Sequence, residues 1–494
     1  MRESNSWHLA DPEELERRRA ARARPLGRVR MLAATATHVT LVGPLLACNP
    51  KGPWDDDDFD GDWGESESGT DTDAETETET DTDTESTGDG DGDGDPIVPC
   101  VPLAPPEGEV IVVGPDQALE LSAIAAAAAP GTTIQLSPGI YDLSTGAPIR
   151  LSTPGVTLRS ATDERDSVVL DGGDLLDELV VLEASNTRVA HLTLQRARSR
   201  AIVITGGEAG HTSFSAVHDV VVRDPGGQAI TLGRSAAGFY PDQGEIACSR
   251  IELDDAGRAA LETCELAGID ARGARGWDVH DNHLIGWWCG EGLAGPAIRF
   301  WQSSRDTIIQ RNAIEDSAIG IALGGGELGA DDERVYVDQP CPDAIAPGHI
   351  DGIVRNNTIW SARPELFASV AGVHSGITLE RACGARVLHN TAVSLGRTLE
   401  SIALRWPDTH AIVVNNLVTH GIHPYADAEV EFAGNVADAP TSEFVDALLG
   451  DLHLSPTAAA IDAGVELPQG LADDDMDAQP RTDTRDVGAD EHTP

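Results

Sequence analysis

The sequence predicts an all-β solenoid: short strands wound into stacked parallel coils, with one helix at the N-terminal end. Three observations predict it. An apolar residue, two variable ones, Asn, one more and a second apolar residue recur at Val279/Asn282/Leu284, Ile309/Asn312/Ile314, Val354/Asn357/Ile359, Val387/Asn390/Ala392, Val413/Asn416/Val418 and Phe432/Asn435/Ala437, so that Asn returns after 30, 45, 33, 26 and 19 residues. A second short apolar strand follows in most units: AIVITGG at 201, AITLG at 229, AGIDARG at 267, AIRFWQ at 297, AIGIALGGG at 318, SGITLER at 375 and SIALRW at 401. Gly supplies 51 residues and aromatics only 4%, which disfavours a large helical bundle.

Each element follows from its pattern. Alternation along the strands turns every second side chain inward, and an Asn at a fixed turn can hydrogen-bond its counterpart on the next coil. One unit is too short to bury its apolar face, so the units must stack. Unequal intervals suit coils whose loops project outward, and they suit a β-sandwich or propeller less. DQALELSAIAAAAAPGTTIQLSPGIYDL opens the body, and its periodicity predicts an amphipathic helix over Asp116–Ala129, closed by Pro130-Gly131.

Charge divides the chain. Its formal net charge is −49, with 83 Asp and Glu against 34 Lys and Arg. Residues 1–47 hold eight Arg and five acids, residues 55–95 hold 20 acids and no base, and residues 96–494 carry a net −33. The expected order is a signal segment over 1–47, an acidic low-complexity tether over 48–107, coils over 108–440 and a C-terminal end segment over 441–494. An acidic body repels nucleic acid and anionic membrane surfaces. Lys51 is the only lysine, so chemistry that needs a lysine within the body is excluded.

At the N-terminus, RRRAARARPLGRVR precedes the uncharged stretch MLAATATHVTLVGPLLA, too short and interrupted for a membrane span but suited to export. Leu45-Leu46-Ala47-Cys48 resembles a bacterial lipobox, which implies lipidation at Cys48, an envelope location and display at the outer membrane. The other six cysteines form an even set suited to an oxidising compartment. Pairing is open among 15 connectivities, and spacing favours Cys248 with Cys264 and Cys289 with Cys341. Within the tether, Asp56, Asp58, Asp60, Gly61 and Glu67 match the spacing of a calcium loop without flanking helices, so calcium is the one cofactor suggested.

With these segments in view, the chain resembles the right-handed parallel β-helix superfamily that includes the pectate lyase-like proteins. The entry segment is similar to its N-terminal cap, and DLHLSPTAAAIDAGVEL with QPRTDTRDVGADE is similar to the C-terminal segment of many secreted bacterial members. The resemblance covers about residues 108–494 and implies a fold, not a reaction.

If the Ile of each Ala-Ile or Gly-Ile pair points inward, then Asp270, Arg272, Arg299, Trp301, Thr378, Glu380, Ala403 and Arg405 point outward in one ladder. Arg272, Arg299, Trp301, Glu380 and Arg405 are then the candidate ligand-binding row: indole stacks on sugar rings and guanidinium grips carboxylates. Salt bridging between coils explains the same row without a ligand. In lyases of the resembled fold a basic residue removes the proton beside a uronate carboxylate, which would make Arg299 or Arg405 the base here. Hydrolysis needs two carboxylates flanking the bond, for which Asp254, Asp255, Asp270 and Asp351 are available, with Asp270 the catalytic candidate. His280, His283, His349, His374, His389 and His410 are read as solvated turn residues. Two functions follow: a monomeric surface lipoprotein that binds or presents to polysaccharide, and a polysaccharide lyase or hydrolase.

Overall fold

The computed structural model describes residues 100, 101, 103–325, 334–338, 341, 347–482 and 484–493. The signal segment, Cys48 and the calcium-like loop lie outside the described residues. Among the described residues no helix is long and apolar enough to cross a membrane.

The coils form a right-handed parallel β-helix. One wall is a ten-stranded sheet that runs in chain order from Ile149–Leu151 to Ile422–Tyr425, each strand parallel to the next. Its inward positions are apolar: Ile202 and Ile204, Ile230 and Leu232, Ile298 and Phe300, Ile377 and Leu379, and Ile402 and Leu404 are at most 1% exposed. Stacked in register, they build a continuous apolar column, each buried side chain contributing about 1.5–3 kcal/mol.

The second wall bends. Arg188–Gln195 and Ala216–Arg223 pass the bend as single strands, while later coils split there, as at Asp278–His280 and His283–Ile285. At each bend one residue takes a left-handed backbone: His191, Asp219, Cys248, Asp281, Arg311, Asn356, His389 and Asn415, with φ between 49° and 58°. That conformation redirects the strand without an added loop. From Asp281 onward the next residue is the recurring Asn. Asn282 Nδ2 donates to Asn312 Oδ1, and the pattern continues through Asn357, Asn390, Asn416 and Asn435 at 2.9–3.0 Å.

The N-terminal end is covered by a 3₁₀ turn, Pro115–Glu120, followed by a helix, Leu121–Ala127, that buries Leu121 and Ala125. The continuous helix expected over Asp116–Ala129 is therefore interrupted, because Gln117 leaves helical geometry (φ −102°, ψ 16°). At the other end, the segment after Pro440 lies along the flank. Its hairpin Phe444–Asp446 with Asp451–Leu454 packs on Val393 and Leu417. Arg481, its side chain wholly buried, donates to Glu491, to Asn356 Oδ1 and to the carbonyls of Asp474, Gly488, Ala489 and Asp490.

The disulfides correct the expected pairing. Cys248 joins Cys100, not Cys264; Cys264 joins Cys289; and Cys341 joins Cys383, not Cys289. Proximity in sequence misleads here because Cys100 lies alongside the bend of the Cys248 coil and occupies its partner position. Cys264 and Cys289 then meet beside the buried Trp287 and Trp288.

Candidate functional site

Alternation in the ten-stranded sheet puts Thr231, Asp270 and Arg299 on its outer face in register, beside a row in which Arg272 meets Trp301. Asp270 is nevertheless only 2% exposed, because its neighbours fold over it. It accepts from Arg299 Nε at 2.8 Å, Trp301 Nε1 at 2.9 Å and Arg272 Nε at 3.3 Å. Arg299 and Arg272 also lie 4.2 and 4.7 Å from the indole centroid. The indole is therefore already occupied by cations. Four residues predicted as one row, Asp270, Arg272, Arg299 and Trp301, do meet, as a cluster in which two guanidinium groups share one carboxylate.

Glu380 and Arg405 form a separate pair, 3.6 Å apart. Their strands, Val373–Glu380 and Thr398–Arg405, lie two and three coils beyond Ile298–Trp301, so Arg405 is about 14 Å from the first cluster along the stack. Arg405 also contacts His374 Nε2 at 3.4 Å. Burial pushes the Glu380 carboxyl up, against the pull of Arg405, Arg381 and Arg299. Burial and the adjacent Arg405 push His374 down to about 4.

The open concavity lies on the N-terminal side of the first cluster. A groove of about 480 Å³ crosses strands Arg200–Thr205, Gln228–Gly233 and Ala267–Arg272, lined by Arg200, Thr231, Arg234, Tyr240 and Arg272, with Asp270 at its edge. Arg200 pairs with Glu178 at 2.5 Å. Thr231 Oγ1 is buried without a hydrogen-bond partner. Tyr240 forms a wall, stiffened by Arg334, which lies 5.0 Å over its ring and grips Asp242 at 2.6 and 2.8 Å. Of these lining residues, sequence reasoning had singled out Asp270 and Arg272. The available signal was the Arg beside the apolar core in two consecutive strands, Arg200 before Ala201-Ile202 and Arg234 after Leu232-Gly233.

The histidines depart from expectation. His349 and His389 are fully buried, not solvated. Burial holds His349 neutral, with its pKa near 3. His389 sits over the bend, bonded to the Gly488 carbonyl and to Asn415. His280 bridges Asp281 and Glu245. His453, Asp477 and Asp490 place potential ligand atoms within 4.8 Å of one another. His453 already bridges Asp451 and Asp477, which raise it to about 9, so it serves there as the cation.

No family model matches the chain, and no curated protein matches it in sequence. Its backbone is similar to that of a solved pectate lyase: 14% identity, 78% of this chain and 97% of that one, TM-score 0.49. An alginate lyase from a Paenibacillus strain is 14% identical over 66% of this chain and 99% of its own, TM-score 0.45. A polygalacturonase from Erwinia carotovora is 11% identical over 68% and 98%, TM-score 0.39.

Proposed function

We propose that this protein binds an acidic polysaccharide along its ten-stranded face, anchored in the groove at Arg200, Arg234 and Arg272. The groove carries this reading. Three guanidinium groups line it against the carboxylates of Asp270 in the lining and Glu178 paired to Arg200, on a body whose net charge is −33. A polyanion is repelled elsewhere and held here, because guanidinium presents a planar fork of donors that matches a carboxylate. Calcium bound between ligand carboxylates and the acidic body would strengthen the contact.

The reading extends to attachment, on sequence grounds. The basic head, the apolar stretch and Cys48 support a lipid-anchored protein displayed at the outer membrane on an acidic tether. Replacement of Cys48 by Ser should abolish lipid incorporation in cells.

The test of binding is retention on immobilised polygalacturonate, alginate and a neutral glucan at rising salt. Arg200→Ala with Arg272→Ala should weaken retention on the acidic polymers about tenfold, the loss of roughly 1.4 kcal/mol. Retention that is unchanged, or equal on the neutral glucan, removes the proposal.

The enzymatic reading rests on one observation: Glu380, its carboxyl pushed up by burial, pairs with Arg405, which also contacts His374, and a carboxyl so raised suits a general acid. Arg299 is already engaged, by Asp270 at 2.8 Å and by the Trp301 ring. Release of reducing ends that disappears in Glu380→Gln supports hydrolysis. Ultraviolet-absorbing unsaturated products that persist in that variant support elimination instead.

A further inference from the structure

The bend column is held by two different devices. From Asn282 to Asn435 it is the buried amide ladder. In the preceding coils Ser249 carries the column one step further, its N–H donating to Asn282 Oδ1 at 3.0 Å and its Oγ accepting from the Val220 N–H at 3.2 Å, and at Val220 and Leu192 the column ends in apolar side chains. There the chain before the first strand lies across the outside of the bend. Cys100 is bonded to Cys248, and the Val101 carbonyl accepts from His218 Nε2 at 3.0 Å. The Leu103 N–H donates to His191 Nε2 at 3.4 Å. Arg159 donates to the carbonyls of Ala104 at 2.8 Å and Leu103 at 3.4 Å. These residues belong to four consecutive coils, with Arg159, Ala190, His218 and Ala247 in register.

Three of the same coils carry the groove. The strand with His191 runs on into Arg200–Thr205, the strand with His218 into Gln228–Gly233, and the coil of Cys248 into Ala267–Arg272. The attachments thus match, one to one, the strands that present Arg200, Thr231 and Arg272. We infer that the arm formed by Cys100, Val101 and residues 103–107 is a positioning element for the groove: locked by Cys100–Cys248, it takes over from outside where the side-chain ladder runs out and holds the three groove strands in register. Its consequence for binding rests on the groove being the ligand site; its structural effect does not.

Hydrogen exchange on the full chain tests it. In Cys100→Ser/Cys248→Ser, amides of Arg200–Thr205, Gln228–Gly233 and Ala267–Arg272 should exchange roughly tenfold faster, while those of Val373–Glu380 and Thr398–Arg405 change less than about twofold. Cys341→Ser/Cys383→Ser should leave the groove strands unchanged. His218→Ala keeps the disulfide and should give a smaller acceleration confined to the same strands, which preserves the test should the double serine variant fail to fold. Acceleration spread evenly over all strands, or none at all, overturns the inference. Affinity for a polygalacturonate oligomer should fall about tenfold with the exchange change. Faster groove exchange with unchanged affinity overturns the positioning role. If neither the parent nor the variant binds the oligomer, the exchange pattern still decides the clamp, and it is the ligand reading that fails.

Discussion

Asn312 Nδ2 donates to Asn357 Oδ1 at 2.9 Å, and both side chains are at most 1% exposed. Each amide in the column also bonds backbone carbonyls, those of Val279 and Gln310 for Asn312. The column is thus a chain of saturated buried groups, and breaking it leaves neighbours without partners. Asn357→Ala should lower stability by about 2–3 kcal/mol in denaturant unfolding. Asn435→Ala, at the end of the column and partly solvated, should cost about 1 kcal/mol. Equal losses at the two positions would show that the column does not act as a ladder.

Arg481 anchors the C-terminal segment through a buried pair with Glu491, with side-chain exposures of 0% and 2%. Arg481→Met leaves that carboxylate buried without its cation and should cost about 3–5 kcal/mol. The measurement is unfolding midpoint together with limited proteolysis, which should cut first within the segment after Pro440. A variant of native stability would remove Arg481 as the anchor.

Asp270→Ala leaves Arg272 and Arg299 without their common acceptor and should lower stability by about 2 kcal/mol. Both guanidinium groups are partly solvated, with side-chain exposures of 48% and 25%, which limits the loss. Released from the cluster, Trp301 should become more accessible to a collisional fluorescence quencher. Unchanged quenching would mean that the cation stack alone holds the ring.

Stability should pass through a maximum near neutral pH. His453 and His280 are raised to about 9 in the folded state, His453 chiefly through its bond to Asp477 and His280 through Asp281 and Glu245 against a desolvating burial. Their contribution is full below the unfolded value of about 6.5 and is lost as pH rises towards 9. His349, held near 3 by burial, acts in the opposite sense: below about 6.5 the unfolded chain takes up a proton that the folded chain refuses. His453→Gln should therefore flatten the alkaline limb, read as unfolding midpoint between pH 6.5 and 9. The His349 imidazole should not titrate above pH 4 by nuclear magnetic resonance, and a transition near 6.5 would refute its burial.

Much of the fold was legible because it repeats. The ladder residues from Asn282 to Asn435 and the inward Ile of each second strand are periodic features, and a period states which residues stack without stating where the chain goes. The outer-face partners Asp270 with Arg299 and Glu380 with Arg405 followed from the same alternation. The irregular parts did not. Loops of unequal length hide the distance along the stack, so the pair at Glu380 separated from the cluster at Asp270. The groove arises where the loop carrying Arg234 and Tyr240 stands against the sheet, an arrangement no spacing encodes. Cys100 found Cys248 across 148 residues because the arm folds back over the bends. Local periodicity, set by side-chain burial, determined the coils. Contacts between residues remote in sequence, which depend on where each loop comes to rest, decided the groove, the disulfides and the arm that holds them together.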